Sequence, residues 1–212
     1  MRHFFKQFLN ITALVAVASA QLVVPQVVLD QANDQRIVMP DPASDEFASS
    51  PPMLSDQLSL EPQASIFFSY ARESAKLSGI MSGVGEYGGS HKYTVFVPTN
   101  RAVMALARKP HLGREPVEGS IEISDEEADR QAQENVEKWV SAHIVPKSLE
   151  LSAGMPEEYP TLLDGISLTL IRENSHKSPE YHNWRLNGNV AILGQRKAAN
   201  GVMYLIDGTI EV

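Results

Sequence analysis

The sequence lacks cysteine entirely: none of its 212 residues carries a thiol. This absence excludes disulfide bonds, thiolate metal sites and cysteine nucleophiles. The folded part of the chain must therefore be stabilised by its own hydrophobic core. A chain of this length has room for one domain of ordinary size together with tails.

Clusters of basic residues are also missing. Lys and Arg number 18 against 26 Asp and Glu, and they are scattered, so that the formal net charge is −8. Nucleic-acid-binding proteins usually carry a basic patch, and docking on anionic membranes favours clustered Lys and Arg. The charge pattern therefore argues against both partners. With 43% apolar and 21% charged residues, the composition is that of a globular protein.

The longest hydrophobic run lies at the start of the chain. It spans residues 8–20 and follows a head that carries Arg2 and Lys6. It ends in Ala18-Ser19-Ala20, a cleavage site of the A-x-A type. A charged head, a short apolar run and small residues at its end are typical of a secretory signal peptide. We therefore predict cleavage before Gln21 and entry into the secretory pathway.

The alternative is an uncleaved anchor that continues to Leu29, which the interruption by Pro25 disfavours. The run itself is shorter than the roughly 20 residues that a membrane span needs. No later stretch is long and apolar enough to span a bilayer, and the last residues show no hydrophobic tail for a lipid anchor. The one N-glycosylation sequon, Asn10-Ile11-Thr12, lies inside residues 1–20. We expect a soluble mature protein without an N-glycan acceptor.

Residues 21–62 are rich in Pro, Gln, Asp and Ser and have no sustained period, which predicts a flexible leader. Apolar spacing then predicts a helix that begins with Ser65 as its N-cap and ends in a glycine-rich loop over residues 79–89. Residues 93–97 are β-branched and aromatic, as in a strand. The leader should therefore give way to a folded domain at about residue 63.

The second half of this domain reads as one helix followed by strands. Ser124 and Glu127 form a capping box, which predicts a helix whose apolar face includes His143. Turn signals follow at Asp164-Gly165, at residues 187–189 and at residues 199–201. Helices that precede a run of antiparallel strands predict an α+β fold over residues 63–212.

Three segments, in this order, carry a resemblance to a known family. They are Thr94-Val95-Phe96-Val97-Pro98-Thr99-Asn100, Ser141-Ala142-His143-Ile144-Val145-Pro146, and residues 200–210, which begin Asn200-Gly201. These resemble the first signature, the central tyrosine–histidine segment and the second signature of fasciclin domains. Their order and spacing match over about 150 residues, from Gln63 to Val212. The chain is therefore identified as similar to a single fasciclin-like domain.

The resemblance implies a β-wedge of antiparallel strands flanked by several α-helices, with no established catalytic centre. It also implies adhesion or matrix binding, and short fungal members are assigned to the vacuole or the cell exterior. One departure is Ala142, where the family usually has a tyrosine tied to cell adhesion, and residues 108–133 look longer and more acidic than usual. The residues to which the family assigns a structural or interaction role are Thr94, Phe96, Pro98, Thr99, Asn100, His143, Pro146, Asn200, Gly201, Ile206 and Asp207.

One other motif suggests nucleotide binding at first sight. Residues 83–88 match G-x-G-x-x-G, but a dinucleotide site needs a strand before this loop and a helix after it. Here a helix precedes and a strand follows, so we interpret the segment as a surface loop. The nucleophile motif G-x-S-x-G of serine hydrolases does not occur.

Metal and acid–base chemistry have weak candidates. A lone histidine on an apolar helix face, such as His143, is usually a core residue whose ring bonds a backbone group. His176, Glu180 and His182 share a polar loop and could supply part of a zinc site, but their spacing matches no known ligand pattern. Residues 115–134 are acidic but lack the spacing of a calcium loop, which favours a solvated surface.

We therefore predict a non-enzymatic binding or adhesion module of the secretory pathway, with no catalytic residues, cofactor or metal. Its expected partner is a protein or polysaccharide at the cell surface, wall or vacuolar membrane, contacted through the edge of the strand region and the loops around His143 and Asp207. One alternative is a factor of the vacuole lumen that assists membrane fusion or turnover. A second is a metal-dependent hydrolase that uses residues 176–182.

Overall fold

The computed structural model describes residues 51–87, 90–113, 124–152, 157–173 and 178–212. The predicted signal peptide (residues 1–20) and the leader up to residue 50 lie outside these residues and stay predictions. The α-helices are α1 (Leu54–Ser59), α2 (Ser65–Glu73), α3 (Ala75–Ser82), α4 (Asn100–Ala105) and α5 (Asp125–Ala142). The strands are β1 (Tyr93–Pro98), β2 (Ile144–Val145), β3 (Glu158–Pro160), β4 (Ser167–Arg172), β5 (Trp184–Leu186), β6 (Val190–Ala198) and β7 (Gly201–Ile206). Short 3-10 turns lie at Pro62–Ala64, Gly85–Tyr87, Pro110–Leu112 and Glu180–Asn183.

The strands form one sheet in the order β2-β1-β7-β6-β5-β4-β3. All neighbouring pairs are antiparallel except β1 and β7, the second and third strands from the β2 edge, which run parallel. The mixture of antiparallel strands with five helices confirms the α+β class, and the sheet and its helices make the predicted wedge.

Two hydrophobic cores lie against this sheet. Every residue of β1 and β7 is buried, and successive side chains of a strand point to opposite faces. Val95, Val97, Met203 and Leu205 belong to the core that also holds the apolar faces of α1, α2, α3 and α5. Phe96, Val202, Tyr204 and Ile206 belong to the second core, which the strands β4 to β6 help to enclose. A strand pair that is buried on both faces explains the continuous apolar runs in both signature segments.

The part of the predicted leader nearest the domain is folded. Residues 51–62 include α1, whose Leu54 and Leu58 are at most 1% exposed in the first core. The backbone N–H of Ala199 also donates to the carbonyl of Pro52 at 2.8 Å. The prediction of a flexible segment up to residue 62 is wrong for this part, because two leucines four positions apart bury one face of a short helix.

The first predicted helix is two helices. The backbone of Ser74 is extended (φ −101°, ψ 127°), and its hydroxyl accepts the N–H of Leu77, so α3 begins with its own cap. The predicted loop over residues 79–89 is wrong in its first part, because α3 continues to Ser82. It ends at Gly83, whose φ of 65° is the left-handed conformation that commonly ends a helix.

Most local predictions in the second half are confirmed. Ser124 caps α5 by accepting the N–H of Glu127 at 3.3 Å, whereas the Glu127 carboxylate pairs with Arg130 and Gln131. Asp164-Gly165 forms a turn before β4, which pairs with β3. The turns at residues 187–189 and 199–200 join β5 to β6 and β6 to β7.

Both edges of the sheet are poorly suited to adding another strand. The edge strand β2 is two residues long, and the N–H of Leu162 donates to the carbonyl of Ile144 at 2.8 Å. This bond links the segment after β3 to the opposite end of the sheet. The other edge strand, β3, ends at Pro160, which has no N–H to donate. Addition of a further strand is therefore disfavoured at both edges, and the contact expected through the edge of the strand region stays a prediction.

Candidate functional site

The first and second signature segments lie side by side on the neighbouring strands β1 and β7. Phe96 of β1 pairs with Tyr204 of β7, and their rings stack with centroids 5.6 Å apart and planes inclined by 18°. The Tyr204 hydroxyl donates to the carbonyl of Leu149 at 2.9 Å, and Gln195 Nε2 donates to it at 3.1 Å. Burial raises the pKa of Tyr204 to about 12, so this phenol stays a neutral donor.

Thr94 fixes the segment that follows β2. Its hydroxyl donates to the carbonyl of Lys147 at 2.7 Å and accepts the N–H of Leu149 at 2.8 Å. The side chain is fully buried. Thr94 and Tyr204 therefore hold the same stretch of backbone from two neighbouring strands, and Pro146 lies exposed at the start of that stretch.

Asn100 caps a helix that is distant in sequence. Its Oδ1 accepts the N–H of Ile66 at 2.9 Å, and its Nδ2 donates to the carbonyl of Pro62 and to Ser65 Oγ. Ser65 itself is the first residue of α2 and makes no side-chain cap bond, so its prediction as the N-cap is wrong. Thr99 is the cap of α4, as predicted for Thr99 or Asn100, and accepts the N–H of Ala102.

His143 lies at the junction of both cores and is completely buried. Its Nδ1 lies 2.7 Å from the carbonyl of Trp139, and its Nε2 accepts the N–H of Ile210 at 3.2 Å. This pair of contacts requires the neutral ring with the proton on Nδ1. The rings of Trp139 and Phe67 pack against it with centroids at 4.5 and 5.6 Å. Burial lowers the pKa of His143 to about 4, against a small opposing effect of the Trp139 carbonyl.

This geometry predicts an acid-sensitive fold. The folded-state pKa of His143 is about 4, below the ordinary value of 6.5, so its contribution is complete above pH 6.5 and is lost as the pH falls towards 4. We expect the free energy of unfolding to decrease by about 3 kcal/mol across this window from His143 alone. Denaturant unfolding at several pH values, compared between the wild type and His143→Gln, measures the difference in slope.

A ring-proton NMR titration of the wild type checks the same prediction without a variant. The His143 signal should titrate near pH 4, and a midpoint near 6.5 would contradict the buried neutral ring. His182→Gln is the matched control, because His182 lies outside both cores and its Nε2 reaches only the carbonyl of Leu193 at 3.5 Å. This variant should change the unfolding free energy at neutral pH by less than about 0.5 kcal/mol.

Asn200 and Asp207 hold the ends of β7. Asn200 Oδ1 accepts the N–H of Leu54 at 2.9 Å, and its Nδ2 donates to the carbonyls of Ile80 and Met81 at 2.9 and 3.0 Å. One amide thus joins α1 and α3 to the turn before β7. Asp207 Oδ1 accepts the N–H of Ala191, which ties the far end of β7 to β6.

The position of the family departure is internal. Ala142 is 0% exposed and belongs to the second core. Ile206, another signature residue, is also fully buried there. Position 142 therefore presents no surface to a partner in this chain.

The other chemical candidates are dispersed. Of the loop considered for zinc, His176 lies outside the described residues, Glu180 Oε1 pairs with Arg172 at 2.9 Å, and His182 faces Leu193. Among the described residues, no three His, Asp or Glu side chains come together in a way that holds a metal ion. The segment Gly83–Gly88 follows helix α3 and precedes strand β1, as the sequence indicated. Gly88 itself lies outside the described residues.

A polar cleft was not predicted. It has a volume of about 520 Å³ and lies where the ends of β3 and β4, the turn between β5 and β6, and the segment after β7 meet. Polar side chains from all three places line the cleft. Nothing in the sequence indicated the cleft, because these residues come from distant segments. They are Glu158, Ser167, Asn187, Asn189, Thr209 and Glu211.

Comparison with known proteins agrees with the resemblance. The sequence model of the Fasciclin domain matches residues 62–211. A FAS1 domain-containing protein of Aspergillus fumigatus is 30% identical over 109 residues, which are 50% of this chain and 44% of that protein. The chain therefore spans less than half the length of this curated relative.

A solved structure, a FAS1 domain pair from the insect cell adhesion molecule fasciclin I, matches with a TM-score of 0.48 at 12% identity. The match covers 77% of this chain and 52% of that one. In the described part of the chain, no helix has the length and apolar character needed to cross a membrane. The family match covers well over half of the sequence and includes the signature residues described above, and the chain belongs to the fasciclin domain family.

Proposed function

We propose that this chain is a non-enzymatic binding module of the secretory pathway that attaches to a protein or polysaccharide of the cell surface, wall or vacuolar membrane. Fasciclin domains are generally adhesion or binding modules. The observation that carries the proposal is that the polar signature side chains hold the fold together. Thr94, Asn100, His143 and Asn200 each form hydrogen bonds that join separate elements of the fold.

This arrangement supports a scaffold whose recognition surface lies elsewhere. A buried side chain with filled hydrogen bonds positions backbone and does not meet a substrate. Binding residues are commonly found on loops that a rigid framework holds in place. The framework here holds the loops at the end of the sheet, including the residues on either side of Ile210.

The first test is location together with cleavage. We expect a C-terminally tagged chain in its native host to be recovered from the wall, medium or vacuole, with Gln21 as its first residue. Fractionation and N-terminal sequencing measure both. An intact Met1 on a membrane would contradict the proposed signal peptide.

The second test is retention. The purified, tagged mature chain should bind to washed wall, plasma-membrane or vacuolar-membrane fractions. Its binding should be saturable, and an excess of untagged protein should compete with it. An unrelated acidic protein of similar net charge is the control. It should not be retained, which would show that net charge alone does not cause retention. Lack of saturable retention on all three fractions would overturn the proposed binding role.

A further inference from the structure

We propose that the polar cleft between Glu158, Asn189 and Thr209 binds a polyhydroxylated ligand, a neutral oligosaccharide chain. This proposal deepens the binding role given above and depends on it for its biological setting. The volume of the cleft, about 520 Å³, falls in the range of small-ligand sites, which is about 300–1,000 Å³.

The chemistry of the lining selects the ligand class. Hydroxyls come from Ser167 and Thr209, amides from Asn187 and Asn189, and a carboxylate from Glu158. Donors and acceptors are thus mixed, which matches sugar hydroxyls that both donate and accept. Within the described residues, Ser167, Asn189 and Thr209 have no side-chain hydrogen bond to the protein. Their capacity is therefore available to a ligand.

The negative charge of the cleft lining disfavours other classes of ligand. Glu158 and Glu211 are carboxylates, and no lysine or arginine is among the described residues that line the cleft. A phosphate, a sulfate or an acidic sugar would meet only repulsion there. A metal ion is equally disfavoured, because the described residues contain no group of three suitable ligands. Neutral hydroxyls can still bond to the carboxylates, which accept charge-assisted hydrogen bonds.

The walls include apolar surface as well. Ile166, Val190 and Ile210 line the cleft between the polar side chains, and Val190 and Ile210 are largely buried. A sugar ring has C–H faces that pack against such surface while its hydroxyls bond to the rim. Small-ligand sites generally combine an apolar lining with a few placed polar groups.

The cleft is held rigid from behind. The N–H of Ile210 donates to His143 Nε2, which fixes the wall formed by residues 209–211. Asn187 Oδ1 accepts the N–H of Thr169 at 2.9 Å, which fixes the turn between β5 and β6. A site that is already ordered loses less conformational entropy on binding.

The test uses the full mature chain, labelled with ¹⁵N, and defined probes. Laminarihexaose, mannohexaose and N-acetylchitohexaose are titrated, together with hexagalacturonate and hexalysine. We expect at least one neutral hexaose to shift the amides of residues 158, 189 and 209, and hexagalacturonate to leave them unchanged. No shift with any of the three neutral probes would overturn the proposal. Preferential binding of hexalysine, abolished by salt, would also overturn it in favour of a basic peptide site.

Variants localise the effect. Ser167→Ala combined with Thr209→Val removes two hydroxyls at nearly constant shape, and we expect the Kd to weaken about tenfold. Ser69→Ala, on the exposed side of α2, is the matched control and should leave the Kd unchanged. Thermal unfolding of each variant confirms that the fold is kept. An unchanged Kd in the double variant would place the ligand elsewhere and refute the cleft.

The same variants separate this inference from the proposed function. If the double variant binds the hexaose as tightly as the wild type while both proteins are retained on cell fractions, the cleft proposal fails and the binding role remains. If neither protein is retained but the wild type still binds a hexaose at the cleft, the ligand class holds and the proposed attachment to cell structures fails.

Discussion

Gly201→Ala is expected to abolish folding or to lower the free energy of unfolding by at least about 4 kcal/mol, in the exceptional range for a single substitution. Gly201 opens β7 with a φ of 153°, in the region that favours glycine. A Cβ built there lies 1.9 Å from the carbonyl oxygen of Tyr93. That oxygen belongs to the backbone of β1, which is held between β2 and β7, so the overlap cannot be relieved by a side-chain rotation.

Urea unfolding followed by circular dichroism measures this effect. Gly194→Ala, in β6, is the matched control, because its Cβ would lie 3.6 Å from Leu205 Cβ and its φ is not positive. We expect the control to change the unfolding free energy by less than about 1 kcal/mol. A folded Gly201→Ala protein with stability close to the wild type would show that the close approach of β1 and β7 is wrong.

Asn200→Ala is expected to lower the unfolding free energy by about 3–5 kcal/mol, because unpaired buried polar groups cost about 1–3 kcal/mol each. The substitution leaves the N–H of Leu54 and the carbonyls of Ile80 and Met81 without their partner. Asn200 is 6% exposed, so water replaces these bonds poorly. The same change also removes the side-chain bond between Leu54 of α1 and the turn before β7.

Two further variants sharpen this prediction. Asn200→Asp keeps the acceptor for Leu54 but loses both donated bonds, and it brings a charge into a buried site, so we expect at least as large a loss. Asn189→Ala is the matched control, because Asn189 is exposed and makes no side-chain hydrogen bond to the described residues. Equal stability of Asn200→Ala and Asn189→Ala, by the same urea measurement, would refute the role of Asn200 in joining α1 and α3 to the turn before β7.

Local signals in the sequence predicted β1 and the turns between the later strands, whereas the short strands β2 and β3 were not predicted. The turn at Asn187-Gly188 has positive φ at both residues, which is the backbone that the Asn-Gly pair favours. The cap at Ser124 is also local, since the hydroxyl and the N–H it accepts are three positions apart. Such features depend on neighbours in sequence and are therefore readable from it.

The errors arose where distant residues decide the structure. The N-terminal capping bond of α2 comes from Asn100, 34 positions away from the Ile66 N–H that it accepts, so Ser65 next to the helix was the wrong choice. The short helix α1 is stable because its leucines pack in the first core, and its own sequence, which lies between prolines, gives little sign of it.

The candidate site shows the same division. His143 was correctly predicted to be a core histidine, because it continues the apolar spacing of α5. Its bond to Ile210, 67 positions away, was not predictable from spacing. The cleft was missed for the same reason: its polar residues look like ordinary surface until the sheet brings them together.

The parallel pairing of β1 with β7 also sets the order in which the domain can form. Tyr93 pairs with Gly201, so β7, which contributes to both cores, is synthesised well after its partner strand β1. Until β7 emerges, the helices and β1 lack the strand that carries Met203 and Tyr204. Contacts between residues so far apart in sequence form slowly. Until this pair forms, the apolar faces of the helices and of β1 stay exposed, which makes the incomplete domain prone to aggregation.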